Sequence, residues 1–186
     1  FRGASSAWRP CGLLRSGGTK IVHVADTARM SADQHAPRLV PLMRLQVEVG
    51  EVLTLGPVPQ GERRCVAITG GRFEADDGWH GEVLPGGTDW QLLRGDGVLE
   101  VDARYVLQDT QGARVQVVSQ GLRHGPPEVI EALARGEAVQ ASRYYFRTAM
   151  RFEAAASHLA HLNRLLAVGF GVREARCVRL DVQRVL

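Results

Sequence analysis

Apolar and polar residues alternate with a period of two from residue 41 onward, and this pattern limits the possible folds more than any other feature of the chain. Successive side chains of a strand point to opposite faces, so each alternating run describes a strand with one face in a core. Such runs predict strands at residues 42–49, 65–71, 80–84, 88–94, 98–108, 113–120, 143–153 and 175–185. About eight or nine short strands separated by turns are typical of an antiparallel sandwich or barrel.

Two segments have the spacing of helices instead. Pro126-Pro127 introduces a helix over residues 128–135, which Gly136 ends. Residues 154–167 carry leucines at helical spacing. The sequence therefore predicts a mostly β fold, a single antiparallel β-barrel of about eight to nine strands with one or two short helices. We favour a barrel over a sandwich because closure removes exposed sheet edges and leaves a lumen.

Residues 1–35 lack the alternation and are predicted to be a disordered or artificially added leader, so that the β-barrel domain occupies residues 36–186. Met30 and the residues after it have the character of a native start. Five of the chain's 23 Lys and Arg residues lie in residues 1–29, against one of its 20 Asp and Glu residues. The rest of the chain is close to neutral, which argues against nucleic acid as a partner.

Several classes of chemistry have no support in the sequence. Lys20 is the only lysine, so the predicted domain has no residue for Schiff-base catalysis. Cys11, Cys65 and Cys177 are far apart, which fits neither a zinc framework nor a disulfide scaffold. We predict no cofactor and no metal site, because the known motifs for nucleotide and metal binding are absent from the sequence. We also expect a cytoplasmic protein with reduced thiols and no membrane partner. The sequence is also compatible with a homo-oligomer.

Four motifs, in order across about residues 40–186, resemble one protein family. They are Gly81-Glu-Val-Leu-Pro-Gly-Gly-Thr-Asp-Trp90, Asp102-Ala-Arg-Tyr105, Gly121-Leu-Arg-His-Gly-Pro126 and Tyr144-Tyr-Phe-Arg147. Together they are similar to the bacterial and fungal family catalogued as domain of unknown function three-two-three-seven. The resemblance implies a small calycin-like β-barrel with a short helix. It implies no catalytic residues, because the family is named for lacking a known function.

Polar side chains that share strand faces form the candidate site. Asp102 and Arg104 share one face of a strand, and Tyr145 and Arg147 share a face of another. Asp89 follows the Pro-Gly-Gly turn. If these faces point into the barrel, the lumen holds carboxylates, guanidiniums and a phenol, a set that suits a small acidic or oxygenated ligand. If they point outward, they are ordinary solvated strand faces.

Under the inward alternative, each residue receives a role in binding or catalysis. The residues assigned to proton transfer in catalysis are Asp89, Asp102 and Tyr145. The residues assigned to ligand binding are Trp90, Arg104, Arg147 and His124. A tryptophan of the core is the alternative interpretation of Trp90.

Three functions remain compatible with the sequence. The first is a small-molecule-binding barrel that works as a cofactor-independent isomerase, lyase or cyclase on a small anionic or oxygenated organic compound. The second is a carrier or sensor that uses the same lumen without catalysis. The third is a structural or interaction module whose barrel is filled by side chains. An open lumen containing the candidate residues favours the first two, and a solidly packed lumen favours the third.

Overall fold

Nine antiparallel strands and three short helical segments make up residues 36–186, the part of the chain that this computed structural model describes. The strands are β1 (Leu39–Val58), β2 (Gly61–Ala75), β3 (His80–Val83), β4 (Gly87–Leu93), β5 (Leu99–Asp109), β6 (Arg114–His124), β7 (Tyr145–Ala154), β8 (Ala167–Arg173) and β9 (Cys177–Val185). The helical segments are the α-helix α1 (Pro127–Ala134) and two 3-10 helices, Ala141–Arg143 and Ser157–Arg164. None of these helices is both long and apolar enough to cross a membrane. The predicted leader at residues 1–35 lies outside the described residues.

The sheet closes into a barrel because each strand has a neighbour on both sides. β1 pairs with β9 on one edge and with β2 on the other. β3 and β4 each pair with both β2 and β5, and β5 to β9 follow one another in chain order. All of these pairings are antiparallel, which confirms the predicted antiparallel β-barrel.

The segment between β7 and β8 differs from the prediction. The helical segment expected over residues 154–167 is present but shorter, as the 3-10 helix Ser157–Arg164, because β7 runs on to Ala154 and β8 begins at Ala167. Strand β8 was not predicted at all. Its buried residues include Gly169 and Gly171, which have no side chains, so no apolar-polar alternation marks the segment as a strand.

Apolar side chains from all around the barrel fill one of its ends. Met43, Leu107 and Met150 are fully buried there. Leu159 and Leu162 of the second 3-10 helix belong to the same cluster and cover this end. Burial of apolar surface stabilises a fold by about 25 cal/mol per Å², so this end is the main hydrophobic core of the protein.

Helix α1 covers the opposite end of the barrel. The predicted helix over residues 128–135 is confirmed by α1. Its buried residues Val129 and Leu133 share a second apolar cluster with Leu99, Tyr144 and Phe146 of the barrel. The space between this cluster and the main core is where the candidate site lies.

Candidate ligand-binding lumen

Two neighbouring cavities lie inside the barrel at the α1 end, with volumes of about 110 and 40 Å³. The residues that line both are Val49, Asp89, Val101, Phe146 and Val178. Helix α1 contributes Leu133 and Ala134 to the larger cavity. The lumen at this end is therefore a small space with apolar walls and one carboxylate shared between its two parts.

Asp89 reaches the lumen because of the register of β4. It lies opposite Val66 of β2 and Ala103 of β5, on the inward face of the sheet. The next residue, Trp90, points to the other face and is 47% exposed. The structure thus places Asp89 at the lumen, whereas Trp90 forms neither a pocket wall nor part of the core.

Three arginines line the larger cavity together with Asp89, and none of them was predicted from the sequence. They are Arg64 of β2, Arg123 of β6 and Arg173 of β8. Each continues the inward face of its strand toward the α1 end. The buried inward neighbours two residues away are Val66 for Arg64 and Gly171 for Arg173.

A chain of hydrogen bonds links one arginine to the carboxylate. Arg64 donates from Nε to Oε1 of Gln91 over 3.0 Å. Gln91, which is itself buried, donates from Nε2 to Oδ2 of Asp89 over 2.5 Å. The carboxylate is therefore held in place on one side, while its second oxygen, Oδ1, is buried without a hydrogen-bond partner among residues 36–186.

The buried charges of the lumen shift one another's pKa values. Burial raises the pKa of the Asp89 carboxyl, and the hydrogen bond from Gln91 and the charge of Arg123 offset part of this effect. Burial, followed by repulsion from Arg173 and Arg64, lowers the pKa of Arg123 to about 10. Arg123 therefore stays charged at neutral pH in a position that disfavours its charge.

Three further polar atoms of the lumen are buried without a hydrogen-bond partner among the described residues. They are Oη of Tyr105, Oγ1 of Thr148 and Nε of Arg123. Tyr105 and Thr148 line the smaller cavity, and Arg123 lines the larger one. Leaving a buried polar group unpaired costs about 1–3 kcal/mol. Together with Asp89 Oδ1, these atoms are the groups that the lumen offers to a ligand.

Four predicted site residues lie on the outer face of the barrel, so the outward alternative applies to them and the roles predicted for an inward orientation are not supported. They are Asp102, Arg104, Tyr145 and Arg147. The physical reason is that the alternate positions of the same strands hold less polar side chains, which fill the interior. Tyr105 on β5 and Phe146 on β7 are buried, which turns their neighbours outward. The side chains of Asp102 and Arg104 are 37% and 61% exposed, and Nε of Arg104 lies 3.6 Å from Oδ1 of Asp102.

The remaining predicted residue, His124, belongs to this outer surface too. Its ring stacks on that of Tyr145 with 4.9 Å between the centroids. The guanidinium of Arg147 lies 5.4 Å from the ring of Tyr145 and 4.4 Å from that of Phe170. These contacts form a ladder of stacked groups on the outside of the barrel, away from the lumen.

The buried carboxylate of Asp109 lies at the packed end of the barrel and has a structural role. It accepts hydrogen bonds from Nε1 of Trp79 and from the backbone N–H groups of Gln111 and Ala113. Nε2 of His158 is 3.5 Å away from it. Within residues 36–186, no group of three or more His, Cys, Asp and Glu side chains is placed to hold a metal ion.

Comparisons with known proteins agree with the family resemblance. The model of the family described as "Protein of unknown function (DUF3237)" matches residues 37–185. A UPF0311 protein from Rhodopseudomonas palustris is 37% identical over 142 residues, which cover 76% of this chain and 92% of that protein.

Solved structures with the same fold include proteins from bacteria and from a fungus. A crystal structure of a conserved protein of unknown function from Rhodopseudomonas palustris aligns with a TM-score of 0.76 at 34% identity, over 81% of this chain and 98% of that one. A "beta-barrel like protein" from Acinetobacter baumannii aligns with a TM-score of 0.70 at 34% identity, over 81% and 96%. A protein from Penicillium herquei described as an enzyme shares the fold with a TM-score of 0.61 at 19% identity, over 81% and 95%.

Proposed function

Given that this chain belongs to the DUF3237 family of proteins of unknown function, we propose that its barrel binds and acts on a small anionic or oxygenated organic compound. The lumen beneath α1 is the binding site. The proposed reaction is a cofactor-independent proton transfer, of the kind that isomerases, lyases and cyclases use, with Asp89 as the proton-transfer residue. The observation that carries the proposal is the set of three arginines around one carboxylate at a cavity.

The excess of positive charge favours an anionic ligand. Asp89 is the only acid among the described residues that line the two cavities, against three arginines. Repulsion from Arg173 and Arg64 contributes to the lowered pKa of Arg123. A bound carboxylate would relieve that repulsion, and hydrogen bonds to charged groups contribute about 1.5–3 kcal/mol each.

Asp89 has the properties expected of a group that exchanges protons. Burial raises the pKa of its carboxyl, as is common for general acids and bases, and its Oδ1 atom is free of protein partners among residues 36–186. In the proposed step, a C–H bond next to a carbonyl group breaks and the proton moves to Asp89. The electron pair of that bond moves toward the carbonyl oxygen to form an enolate. In a compound with a C=C bond next to this carbon, the enolate is conjugated as a dienolate. Return of the proton from Asp89 to the far carbon of the dienolate then moves the double bond, isomerises the compound and restores the carboxylate of Asp89.

A thermal-shift screen of small organic acids and phenols tests the binding part of the proposal. At a concentration one hundred times its Kd, a ligand stabilises the protein by about 2.7 kcal/mol, which raises Tm by about 5–10 °C for a protein of this size. We expect at least one acid to do so. Arg123→Gln should weaken that acid about 10- to 100-fold, whereas the matched change Arg104→Gln on the outer face should leave its Kd unchanged. Equal weakening in both variants, or no shift with any compound, would contradict lumen binding.

Hydrogen exchange at carbon tests the catalytic part. In D₂O, the wild-type protein should replace the carbon-bound hydrogen next to the carbonyl group of a bound oxo compound with deuterium, which ¹H NMR follows as loss of signal. Asp89→Asn should slow this exchange at least about 100-fold while the compound still binds. An oxo compound that binds to the wild-type protein without exchanging would make the protein a carrier or sensor instead of an enzyme.

A further inference from the structure

We infer that the ligand is a short hydroxy- or oxo-carboxylic acid held in one orientation, with its carboxylate at the arginines near α1 and its other oxygen at Tyr105 and Thr148. This inference rests on the proposed function and specifies the class of ligand and its direction in the lumen. The observation behind it is that the two cavities share Asp89 but differ in the rest of their polar groups.

The larger cavity is the charged end, and Arg123 is its free donor. Arg64 is already engaged through its hydrogen bond to Gln91. Arg173 donates to the backbone carbonyl oxygens of Ala175, at 3.2 Å, and Cys177, at 3.5 Å. Nε of Arg123, in contrast, is buried without a partner among the described residues. A carboxylate entering this cavity would therefore bind Arg123 first, with the charges of the other two arginines in support.

The smaller cavity is the neutral end. Its polar groups other than Asp89 are the hydroxyls of Ser119, Tyr105 and Thr148, among apolar residues. The Oη of Tyr105 and the Oγ1 of Thr148 have no hydrogen-bond partner among residues 36–186. Burial, together with the negative charge of Asp89, raises the pKa of Tyr105, so that this hydroxyl stays protonated and able to donate. Such hydroxyl donors bind an uncharged acceptor, which is the oxygen of a hydroxyl or a carbonyl group.

The position of Asp89 and the size of the space define the rest of the ligand. Because Asp89 lines both cavities, it lies beside the carbon atoms that join the carboxylate to the second oxygen. The volumes of about 110 and 40 Å³ compare with a cavity of about 150 Å³ that holds benzene in another protein. The ligand then has about seven non-hydrogen atoms, as a four-carbon hydroxy acid does.

Isothermal titration of the full chain with matched four-carbon compounds tests the inference. The compounds are butyrate, its 2-, 3- and 4-hydroxy derivatives, 2-oxobutyrate, and the amide of whichever acid binds most tightly. We expect one oxygenated acid to bind at least about tenfold more tightly than butyrate and than its own amide, the effect of one hydrogen bond to a neutral or charged partner.

The variants assign each end of the ligand to its contacts. Tyr105→Phe should remove the advantage of the oxygenated acid over butyrate and leave the Kd of butyrate unchanged. Thr148→Val should act in the same way, and it carries the test if Tyr105→Phe does not fold. Arg123→Gln should remove the advantage of the acid over its amide. Arg104→Gln on the outer face should change neither advantage.

The unfavourable outcomes are distinguishable. If Tyr105→Phe weakens butyrate as much as the hydroxy acid, or if Arg123→Gln leaves the preference for the acid over its amide intact, the orientation is overturned. If butyrate and the oxygenated acids bind equally well, or if none of them binds, the ligand class is overturned. The proposed function itself fails on separate results, namely when the broader screen of acids and phenols yields no ligand or when Arg123→Gln and Arg104→Gln weaken binding equally.

Discussion

The carboxylates of Asp89 and Asp109 differ in how completely the protein satisfies them. Asp109 has hydrogen-bond donors from a side chain and two backbone groups and supports a turn at the packed end of the barrel. Asp89 has one side-chain donor, Gln91, and one buried oxygen, Oδ1, without a partner that meets hydrogen-bond geometry among the described residues. Buried polar groups are normally paired, so the residue with the unmet requirement is the one we assign to function.

The raised pKa of Asp89 predicts how stability depends on pH. Its folded pKa lies above the ordinary value of 3.8, so the folded state holds the proton more tightly than the unfolded state. The contribution of protonated Asp89 to the free energy of unfolding is therefore fully present at pH values below the ordinary pKa. This contribution is lost as pH rises through the folded pKa and the carboxyl ionises. Relative to Asp89→Asn, the wild-type protein should therefore lose stability as pH rises above the ordinary carboxyl pKa of 3.8, measured as the free energy of unfolding in urea.

Asp96 supplies the comparison for this measurement because its pKa shifts the other way. Hydrogen bonds from the backbone N–H of Val98 and from Arg94 lower the pKa of this exposed carboxyl. The wild-type protein should therefore gain stability relative to Asp96→Asn as pH rises, and the gain should be small. A pH dependence of the same sign for both variants would contradict the environment described for Asp89.

The two buried tyrosines predict opposite effects for the same substitution. Tyr105 has a hydroxyl without a partner among residues 36–186, so Tyr105→Phe should raise the free energy of unfolding of the unliganded protein by about 1 kcal/mol. The hydroxyl of Tyr144 accepts a hydrogen bond from the backbone N–H of Arg173 over 2.9 Å, so Tyr144→Phe should lower it by about 1 kcal/mol. Urea unfolding of both variants measures the difference, and destabilisation by Tyr105→Phe would show that its hydroxyl is paired.

Of the residues that line the lumen, only Asp89 is predicted as a site residue from the sequence. Period-two alternation shows that Asp102 and Arg104 share a face, but it does not say which face is inside. The missed arginines continue inward faces at strand ends, where glycines at positions 121 and 171 interrupt the pattern before Arg123 and Arg173. Arg64 carries a usable signal, because it is in phase with Val66 and Ile68, both buried in the barrel. A charged residue in phase with an apolar face is therefore the feature to look for.

At the scale of single elements, β8 explains why a strand can escape prediction. Its inner face carries Gly169 and Gly171, and side chains of other strands occupy the space beside them. Ring atoms of Phe146 lie 2.4–2.7 Å from the position that a Cβ on Gly171 would take. The sequence shows only an apolar run there, which is compatible with a helix or a strand. The strand pairs with β7 and β9, and the two glycines of its inner face leave room for side chains of those neighbours.

This arrangement predicts that β8 tolerates no methyl group at Gly171. Gly171→Ala should destabilise the protein by about 1–3 kcal/mol, because the ring of Phe146 has to move within a packed interior. The matched change Gly95→Ala, in a loop with nothing within 4 Å of the added atom, should change stability by less than about 0.5 kcal/mol. Thermal or urea unfolding compares the two, and equal stability of both variants would contradict the close packing of β8 on β7.

At the scale of the whole molecule, the barrel architecture followed from the sequence because strand number and spacing follow from local patterns. The pairing that closes the barrel, β1 with β9, joins residues far apart in the chain and leaves no local signal. Beyond residue 49 the long strand β1 leaves β9 and pairs with β2 alone among the described strands. We call residues 50–58 of β1 the arm.

The arm predicts a gradient of backbone protection. Residues 43–48 of β1 have strands on both sides, so their amide hydrogens should exchange slowly with D₂O. In the arm, the amides that point away from β2 have no strand beside them among residues 36–186 and should exchange much faster. Hydrogen exchange followed by NMR measures both sets, and uniform protection along β1 would indicate that another chain segment covers the arm.

The packed core at one end of the barrel has a consequence for how a ligand enters and leaves the lumen. A ligand cannot pass through the barrel from end to end, so a molecule that enters beside α1 also has to leave beside α1. Under the proposed function, the product would then have to leave the lumen before the next substrate molecule enters. The rate of ligand exchange should therefore depend on how tightly α1 packs against the barrel through Val129 and Leu133.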